Sequence, residues 1–199
     1  HNLFNKYFFE GIIHLAGFSN VSESVKNPSL YYNNNVIGSF NLLEKIIEIN
    51  VKKIVFSSTA AVYGNPIDSL IDESHPTCPI NPYGDSKLSV ERLINNYSLS
   101  YGINFISLRY FNVSGSDFSS QIGEAHSPET HIIPLALEAA HQNSVFKING
   151  NDYNTNDGTC IRDYMHVMDL AEVHIKCLKK TFKEKKSTIL NCRYAKGFS

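Results

Sequence analysis

The sequence has no excess of charge of either sign and no long apolar segment. Its 18 lysine and arginine residues are matched by 19 aspartate and glutamate residues. A balanced charge creates no field that would attract nucleic acid or an anionic membrane. No apolar run approaches the roughly 20 residues that a membrane-spanning helix needs, and no signal peptide is recognisable. We therefore expect a protein that binds neither nucleic acid nor membranes.

The four cysteines lack any paired spacing. They lie far apart, at Cys78, Cys160, Cys177 and Cys192, and no two form a C-x-x-C motif. Such spacing indicates neither a zinc site nor a disulfide framework, so a reducing, cytosolic setting is expected. With 199 residues, 42% of them hydrophobic, the chain can bury a substantial core as one domain, or as one domain and part of another.

Short apolar runs alternate with helical patterns in the first 115 residues. The runs lack polar alternation, as do strands buried on both faces of a parallel sheet. They lie at 11–16, 53–57 and 105–110, and helical spacing joins them over 28–51 and 83–101. Strand, helix, strand, helix, strand is the pattern of a doubly wound α/β fold with a parallel, Rossmann-type sheet.

The pattern of apolar and polar residues changes after Gly115, where a polar loop begins. Beyond this loop the pattern predicts two helices and three extended segments: a helix at 132–142, short strands at 146–148 and 188–191, an extended segment at 162–167 and a helix at 169–182. We therefore divide the chain into residues 1–115 and residues 116–199.

The stretch from 57 to 87 combines hydroxyl groups with a phenol and an amine. The predicted strand ends at Ser57, Ser58 and Thr59, and parallel α/β sheets bind ligands at the carboxyl ends of their strands. Tyr83 and Lys87 are four residues apart, so they lie on one face of a helix. A nearby ammonium favours the phenolate and lowers the phenol's pKa. The stretch therefore predicts a hydroxyl beside an activated phenolate base.

Several longer segments carry a family resemblance. They are residues 13–17 (IHLAG), 31–36 (YYNNNV), 56–64 (FSSTAAVYG), 81–87 (NPYGDSK), 108–112 (LRYFN) and 151–171. In this order they resemble the extended short-chain dehydrogenase/reductase family, whose catalytic set is Ser or Thr with Tyr-x-x-x-Lys. Within it they are most similar to the UDP-hexose 4-epimerases. The resemblance covers nearly the whole chain and implies an NAD cofactor, UDP-glucose and UDP-galactose as substrates, and a homodimer.

The resemblance also implies a role for individual residues. Thr59, Tyr83 and Lys87 match the catalytic set, with Lys87 also holding the nicotinamide ribose. The cofactor-side positions match Leu15, Ala16, Gly17, Asn34, Ser57, Ser58 and Tyr110, together with Tyr83 and Lys87. The substrate-side positions match Thr59, Phe111, Asn112, Arg162 and Tyr164. Residues 1–115 would then form an NAD-binding domain, and 116–199 would form a substrate-binding region interleaved with its last elements.

Two alanines bear on the reaction type. Related dehydratases and decarboxylases carry an acidic residue shortly after the catalytic Thr, whereas this chain has Ala60 and Ala61. The missing carboxylate favours epimerisation, which needs only reversible oxidation at the sugar C4 with Tyr83 as base. The alternatives are another NAD-dependent nucleotide-sugar dehydratase or reductase, or a non-catalytic dinucleotide-binding module of the same fold.

Two polar clusters resemble metal sites only weakly. Residues 152–163 lack the Gly and the terminal Glu of a calcium loop. His126, Glu129 and His131 lack the His-Glu-x-x-His spacing of a helical zinc site, and the resemblance assigns them to a substrate-side loop. No metal is expected from the sequence.

The family's Gly-rich pyrophosphate turn has no counterpart among these 199 residues. We expect this turn to lie upstream, which makes the chain an internal fragment that lacks the first strands of the sheet. Backbone N–H groups of that turn bind the pyrophosphate and so provide much of the affinity for a dinucleotide. Residues 1–199 alone should therefore bind NAD weakly, and thermal unfolding with and without NAD checks this, because binding to the folded state raises stability. A clear NAD-dependent increase in the melting temperature would contradict the expectation.

Overall fold

The computed structural model describes residues 2–68 and 70–199 and contains two compact units. The first comprises the chain up to Phe111 together with Glu172–Cys192, and the second comprises Asn112–Ala171 and Arg193–Ser199. The sequence-based division at residue 115 also assigns a ligand to each part, and that assignment stays a prediction.

The first unit contains a four-stranded, fully parallel sheet. Its strands are β1 (Ile12–His14), β2 (Lys53–Thr59), β3 (Asn104–Tyr110) and β6 (Thr188–Cys192), in the order β1-β2-β3-β6. Thr59 pairs with Tyr110, and Tyr110 pairs with Cys192, so three strands end at the same level. The carboxyl ends of β2, β3 and β6 therefore form one edge of the sheet.

Helices connect these strands. One nearly continuous helical segment joins β1 to β2, and a long helix, α5, joins β2 to β3. The bounds are α1 Asn2–Lys6, α2 Val21–Lys26, α3 Pro28–Tyr31, a π-helix Tyr32–Ile37, α4 Gly38–Glu48, a 3₁₀ turn Ala60–Tyr63, α5 Pro82–Tyr101 and α7 Val167–Lys183. Among the described residues, no helix has both the length and the apolarity that crossing a membrane requires.

Helices cover both faces of the sheet. On one face, side chains of α4 and α5, including Leu43 and Ile94, form a single core with Ile54 and Phe56 of β2. Each such fully buried side chain contributes on the order of 1.5–3 kcal/mol to folding. On the opposite face, His174 of α7 lies 3.2 Å from the Ser57 hydroxyl. The doubly wound, Rossmann-type α/β prediction is confirmed.

The second unit contains a small mixed sheet and one helix. β4 (Asn112–Ser114) is parallel to β5 (Arg162–His166), β5 is antiparallel to β7 (Gly197–Phe198), and the helix is α6 (Ile132–Gln142). The helix at 132–142 and the extended segment at 162–167 are confirmed. The strand expected at 146–148 is wrong: these residues have no regular structure, and Ile148 is 63% exposed. A run of three residues with an apolar bias does not form a strand unless a neighbouring strand pairs with it.

Candidate functional site

The carboxyl end of β2 places Thr59 at the start of a tight turn. Thr59 is mostly buried, and its Oγ1 accepts a hydrogen bond from the Ala61 backbone N–H at 3.1 Å, which begins the 3₁₀ turn. Accepting this bond leaves the hydroxyl hydrogen available for donation. It hydrogen-bonds the phenol of Tyr83. The turn therefore orients the Thr59 hydroxyl toward the predicted base.

The start of α5 brings Tyr83 to this turn. Asn81 caps the helix by accepting the Gly84 N–H at 2.8 Å, and Pro82 occupies the first helical position. A Cβ atom at Gly84 would lie only 2.6 Å from the backbone oxygen of Ala61. A larger residue there would force the helix away from the turn. Gly84 thus permits the close approach that joins Tyr83 to Thr59, a role that the sequence pattern alone did not reveal.

Burial dominates the titration of both Tyr83 and Lys87. It raises the pKa of Tyr83 to about 12, against the lowering effect of the hydrogen bond with Thr59. It lowers the pKa of Lys87 to about 8. Desolvation penalises the charged form of each group. Lys87 is not among the causes of the Tyr83 shift in this arrangement, in which the ammonium donates to the Ser57 carbonyl oxygen at 2.9 Å. The lowering of the Tyr83 pKa by Lys87 therefore stays a prediction.

A glycine lies directly beside the Lys87 ammonium. A Cβ at Gly17 would be 3.2 Å from Lys87 Nζ and 3.1 Å from the side-chain oxygen of Asn35. Leu15, Ala16 and Gly17 are all exposed after the end of β1. The segment is therefore accessible from solvent, and the lack of a side chain at Gly17 leaves room for the Lys87 ammonium.

The three consecutive asparagines form part of the π-helix, and Asn35 points inward. Its side chain accepts the Phe18 N–H at 2.8 Å and donates to the Phe18 carbonyl at 3.0 Å and to Ser86 at 3.0 Å. Asn34, the predicted cofactor contact, is exposed and donates to Asn35. π-Helical turns occur frequently at functional sites. Asn35, which was not singled out from the sequence, fixes the loop after β1 against α5.

Three predicted cofactor-side residues have partners inside the first unit. Ser57 hydrogen-bonds Tyr110, which lowers the Tyr110 pKa against the larger raising effect of burial. Ser58 is fully buried and donates its hydroxyl to Glu91 at 2.5 Å. That hydroxyl therefore bonds into the core, and the cofactor contact expected for Ser58 stays a prediction.

Glu91 also anchors a buried ion pair that the sequence did not predict. Its carboxylate accepts Arg109 Nε at 2.9 Å and Nη2 at 2.6 Å, and both side chains are about 5% exposed or less. The Arg109 guanidinium lies 4.9 Å from the centre of the Tyr63 ring. This network joins α5, β2 and β3 next to the end of β2. Residues 18 positions apart give no local signal for such a pair.

The predicted substrate-side residues fall in both units. Phe111 ends the first unit, whereas Asn112, Arg162 and Tyr164 belong to the second. Asn112 and Tyr164 pair on β4 and β5 and help to line a cavity of about 290 Å³. Arg162 is exposed and donates to the Ile161 carbonyl at 2.8 Å.

Comparison with known proteins agrees with this arrangement. The chain is 49% identical over 198 residues to a UDP-glucose 4-epimerase of Halalkalibacterium halodurans and 48% identical over 198 residues to one of Lacticaseibacillus casei. Each alignment covers 99% of this chain but only 59% and 60% of those relatives. The chain therefore spans about three fifths of the length of the curated relatives it matches.

Solved structures show the same similarity. UDP-glucose 4-epimerase from Brucella ovis in complex with NAD superposes with a TM-score of 0.96 at 41% identity, covering 100% of this chain and 61% of that one. The enzyme from Bifidobacterium longum in complex with NAD⁺ and UDP gives 0.91 at 36% identity, covering 100% and 60%. The model of the NAD dependent epimerase/dehydratase family matches residues 1–192. The chain belongs to the NAD dependent epimerase/dehydratase family.

Proposed function

We propose that the intact protein is an NAD-dependent enzyme that interconverts UDP-glucose and UDP-galactose. The observation that carries the proposal is the buried group of Thr59, Tyr83 and Lys87 at the carboxyl edge of the sheet. The identities of 49% and 48% with UDP-glucose 4-epimerases support this choice of substrates.

The residues present fit a bound dinucleotide. Leu15, Ala16 and Gly17 expose their backbone next to Lys87, and the glycine leaves the space that a Cβ would fill. Asn34, Ser57 and Tyr110 complete the set that we propose to contact NAD. Held by these residues, NAD would supply a reversible hydride acceptor for C4 of the sugar.

In the proposed mechanism, Tyr83 moves the proton of the sugar 4-hydroxyl. As a phenolate it takes this proton, either directly or through the Thr59 hydroxyl, and as a phenol it returns the proton when the hydroxyl is restored. Because burial holds the Tyr83 pKa at about 12, a positive charge near the phenol is needed to favour the phenolate. We assign that charge to Lys87, whose ammonium also holds the cofactor ribose.

On the substrate side, four residues would bind the nucleotide sugar. Phe111, Asn112 and Tyr164 offer an aromatic ring, an amide and a phenol, and Arg162 offers a planar fork that can hold phosphate oxygens through two hydrogen bonds. The first of these follows β3 and the others lie on β4 and β5. Binding of UDP to the intact Arg162→Lys variant should be weaker than to the parent protein, since lysine cannot form the bidentate contact.

A dehydratase or reductase of the same fold is the alternative. A dehydratase would need a second acid or base near the sugar, and the two residues after Thr59 are alanines that carry no ionisable group. A non-catalytic module would need none of the three catalytic side chains. The joint presence of Thr59, Tyr83 and Lys87 in one buried group supports an enzyme.

We further infer that the intact protein is a cytosolic homodimer, as the family resemblance implies. α4 and α5 carry exposed apolar side chains, among them Phe40 at 41% and Leu99 at 80%, which would suit a contact with a second copy. Sedimentation of the intact protein measures the oligomeric state, and a monomer at micromolar concentration would contradict the homodimer.

Product analysis tests the activity. The intact protein, incubated with UDP-galactose, should form UDP-glucose until the two reach equilibrium, with no added reductant consumed. The same mixture should form from UDP-glucose. Chromatographic separation of the nucleotide sugars gives the readout. A 4-keto-6-deoxy sugar or a net reduced product would establish the alternative reaction, and no product from either substrate would favour the non-catalytic module.

A further inference from the structure

Four side chains of the second unit converge just before α6. They are Glu124, His126, Glu129 and His131, and their ligand atoms all lie within 4.8 Å of one another. Nδ1 of His126 is 2.9 Å from Oε1 of Glu124, and Nδ1 of His131 contacts the same oxygen. The two imidazole rings meet edge to face, with centres 5.0 Å apart. The loop thus gathers two nitrogen donors around a shared carboxylate.

The second carboxylate is already oriented. Oε1 of Glu129 accepts the backbone N–H groups of Thr130 and His131 at 2.7 and 2.8 Å, which holds the Glu129 pKa below its ordinary value. His131 is the N-cap residue of α6, but its side chain makes no capping hydrogen bond. Its imidazole is therefore turned toward the two glutamates. In many metal sites the ligating carboxylates are likewise held in place by hydrogen bonds from groups that do not contact the metal.

We propose that Glu124, His126, Glu129 and His131 form a structural binding site for a divalent transition-metal ion, with Zn²⁺ as the best fit. Two imidazoles and two carboxylates provide four ligands, the number that a closed tetrahedral zinc site uses. Donors around such an ion lie about 3.3 Å apart for metal–ligand distances near 2.0–2.1 Å. The most widely separated donors of the cluster, which lie within 4.8 Å of one another, would therefore move closer by up to about 1.5 Å on binding. Mg²⁺ and Ca²⁺ prefer oxygen-only ligands and fit less well.

The ion would fasten the 116–131 loop to the start of α6. Glu124 and His131 also line the 290 Å³ cavity that contains Asn112 and Tyr164. Binding would therefore fix one wall of that cavity without taking part in proton or hydride transfer. Sequence spacing gave no reason to expect the site, because its ligands lie on an irregular loop and at a helix N-cap and not on one helix face.

Zinc titration of the intact protein tests the proposal. After removal of metals with a chelator, Zn²⁺ is added in competition with a chromophoric chelator. One Zn²⁺ should bind per chain, and Glu124→Gln and His131→Gln should each weaken this binding by about tenfold or more. The matched substitutions Glu138→Gln and His141→Gln, at exposed positions of α6 outside the cluster, should change the affinity less than twofold.

A second readout addresses the structural role. Zn²⁺ should slow proteolytic cleavage within residues 116–131 of the parent protein, and this protection should disappear in Glu124→Gln but persist in His141→Gln. Absence of Zn²⁺ binding, or binding that the cluster substitutions leave unchanged, would overturn the proposal and leave the four residues as a hydrogen-bonded ion cluster. Neither result depends on whether the protein has epimerase activity.

Discussion

Replacing Tyr83 with phenylalanine should lower the turnover of the intact protein by about 100- to 10,000-fold, the usual contribution of a positioned acid or base. The substitution removes one hydroxyl from a mostly buried side chain and keeps the ring. Its hydrogen bond with Thr59 is lost, but the fold and the Gly17 segment beside Lys87 are unchanged. NAD should therefore stay bound, and the loss should be seen in kcat with UDP-galactose as substrate.

The same helix offers a matched control. Tyr97 lies on α5 and donates its hydroxyl to Glu44, an exposed interaction remote in sequence from the Thr59 turn. Tyr97→Phe should keep near-parental turnover, since it removes a phenol of the same kind away from the predicted site. If Tyr83→Phe turned over as fast as Tyr97→Phe, the assignment of Tyr83 as the base would be wrong.

Local sequence patterns predicted much of the fold and the core of the site. Apolar runs and helical spacing located the four strands of the parallel sheet because each depends on residues close in sequence. The four-residue separation of Tyr83 and Lys87 predicted a shared helix face for the same reason. The apolar run at 53–57 and the hydroxyl residues Ser58 and Thr59 that follow it together match β2, which ends at Thr59.

Features that depend on tertiary packing were not predicted. Gly84 is needed because the backbone oxygen of Ala61 approaches it from a different element. Asn35 resembles its two neighbours in sequence, and only the π-helical turn directs it inward. The rise of the Tyr83 pKa was not predicted, because the charge of Lys87 was considered without the larger cost of burial.

The second large effect is expected on the free energy of unfolding, when the buried Glu91–Arg109 ion pair is broken. Glu91→Gln should lower the free energy of unfolding of the intact protein by about 3–5 kcal/mol, because it leaves the buried guanidinium without a counter-charge. The substitution keeps the size of the side chain, so the loss measures charge and hydrogen bonding and not a cavity. Urea unfolding monitored by circular dichroism provides the measurement.

An exposed ion pair of the same length isolates the effect of burial. Lys45 and Glu48 are also 2.6 Å apart, but the Glu48 side chain is 66% exposed, against 3% for Glu91. Glu48→Gln should therefore change the free energy of unfolding by less than about 1 kcal/mol. Equal losses in the two variants would show that burial does not set the cost. Replacing both buried partners, in Glu91→Leu with Arg109→Met, should recover part of the lost stability, because no unpaired charge then remains in the core. The recovery should be incomplete, because the buried Ser58 hydroxyl loses Glu91 as its acceptor.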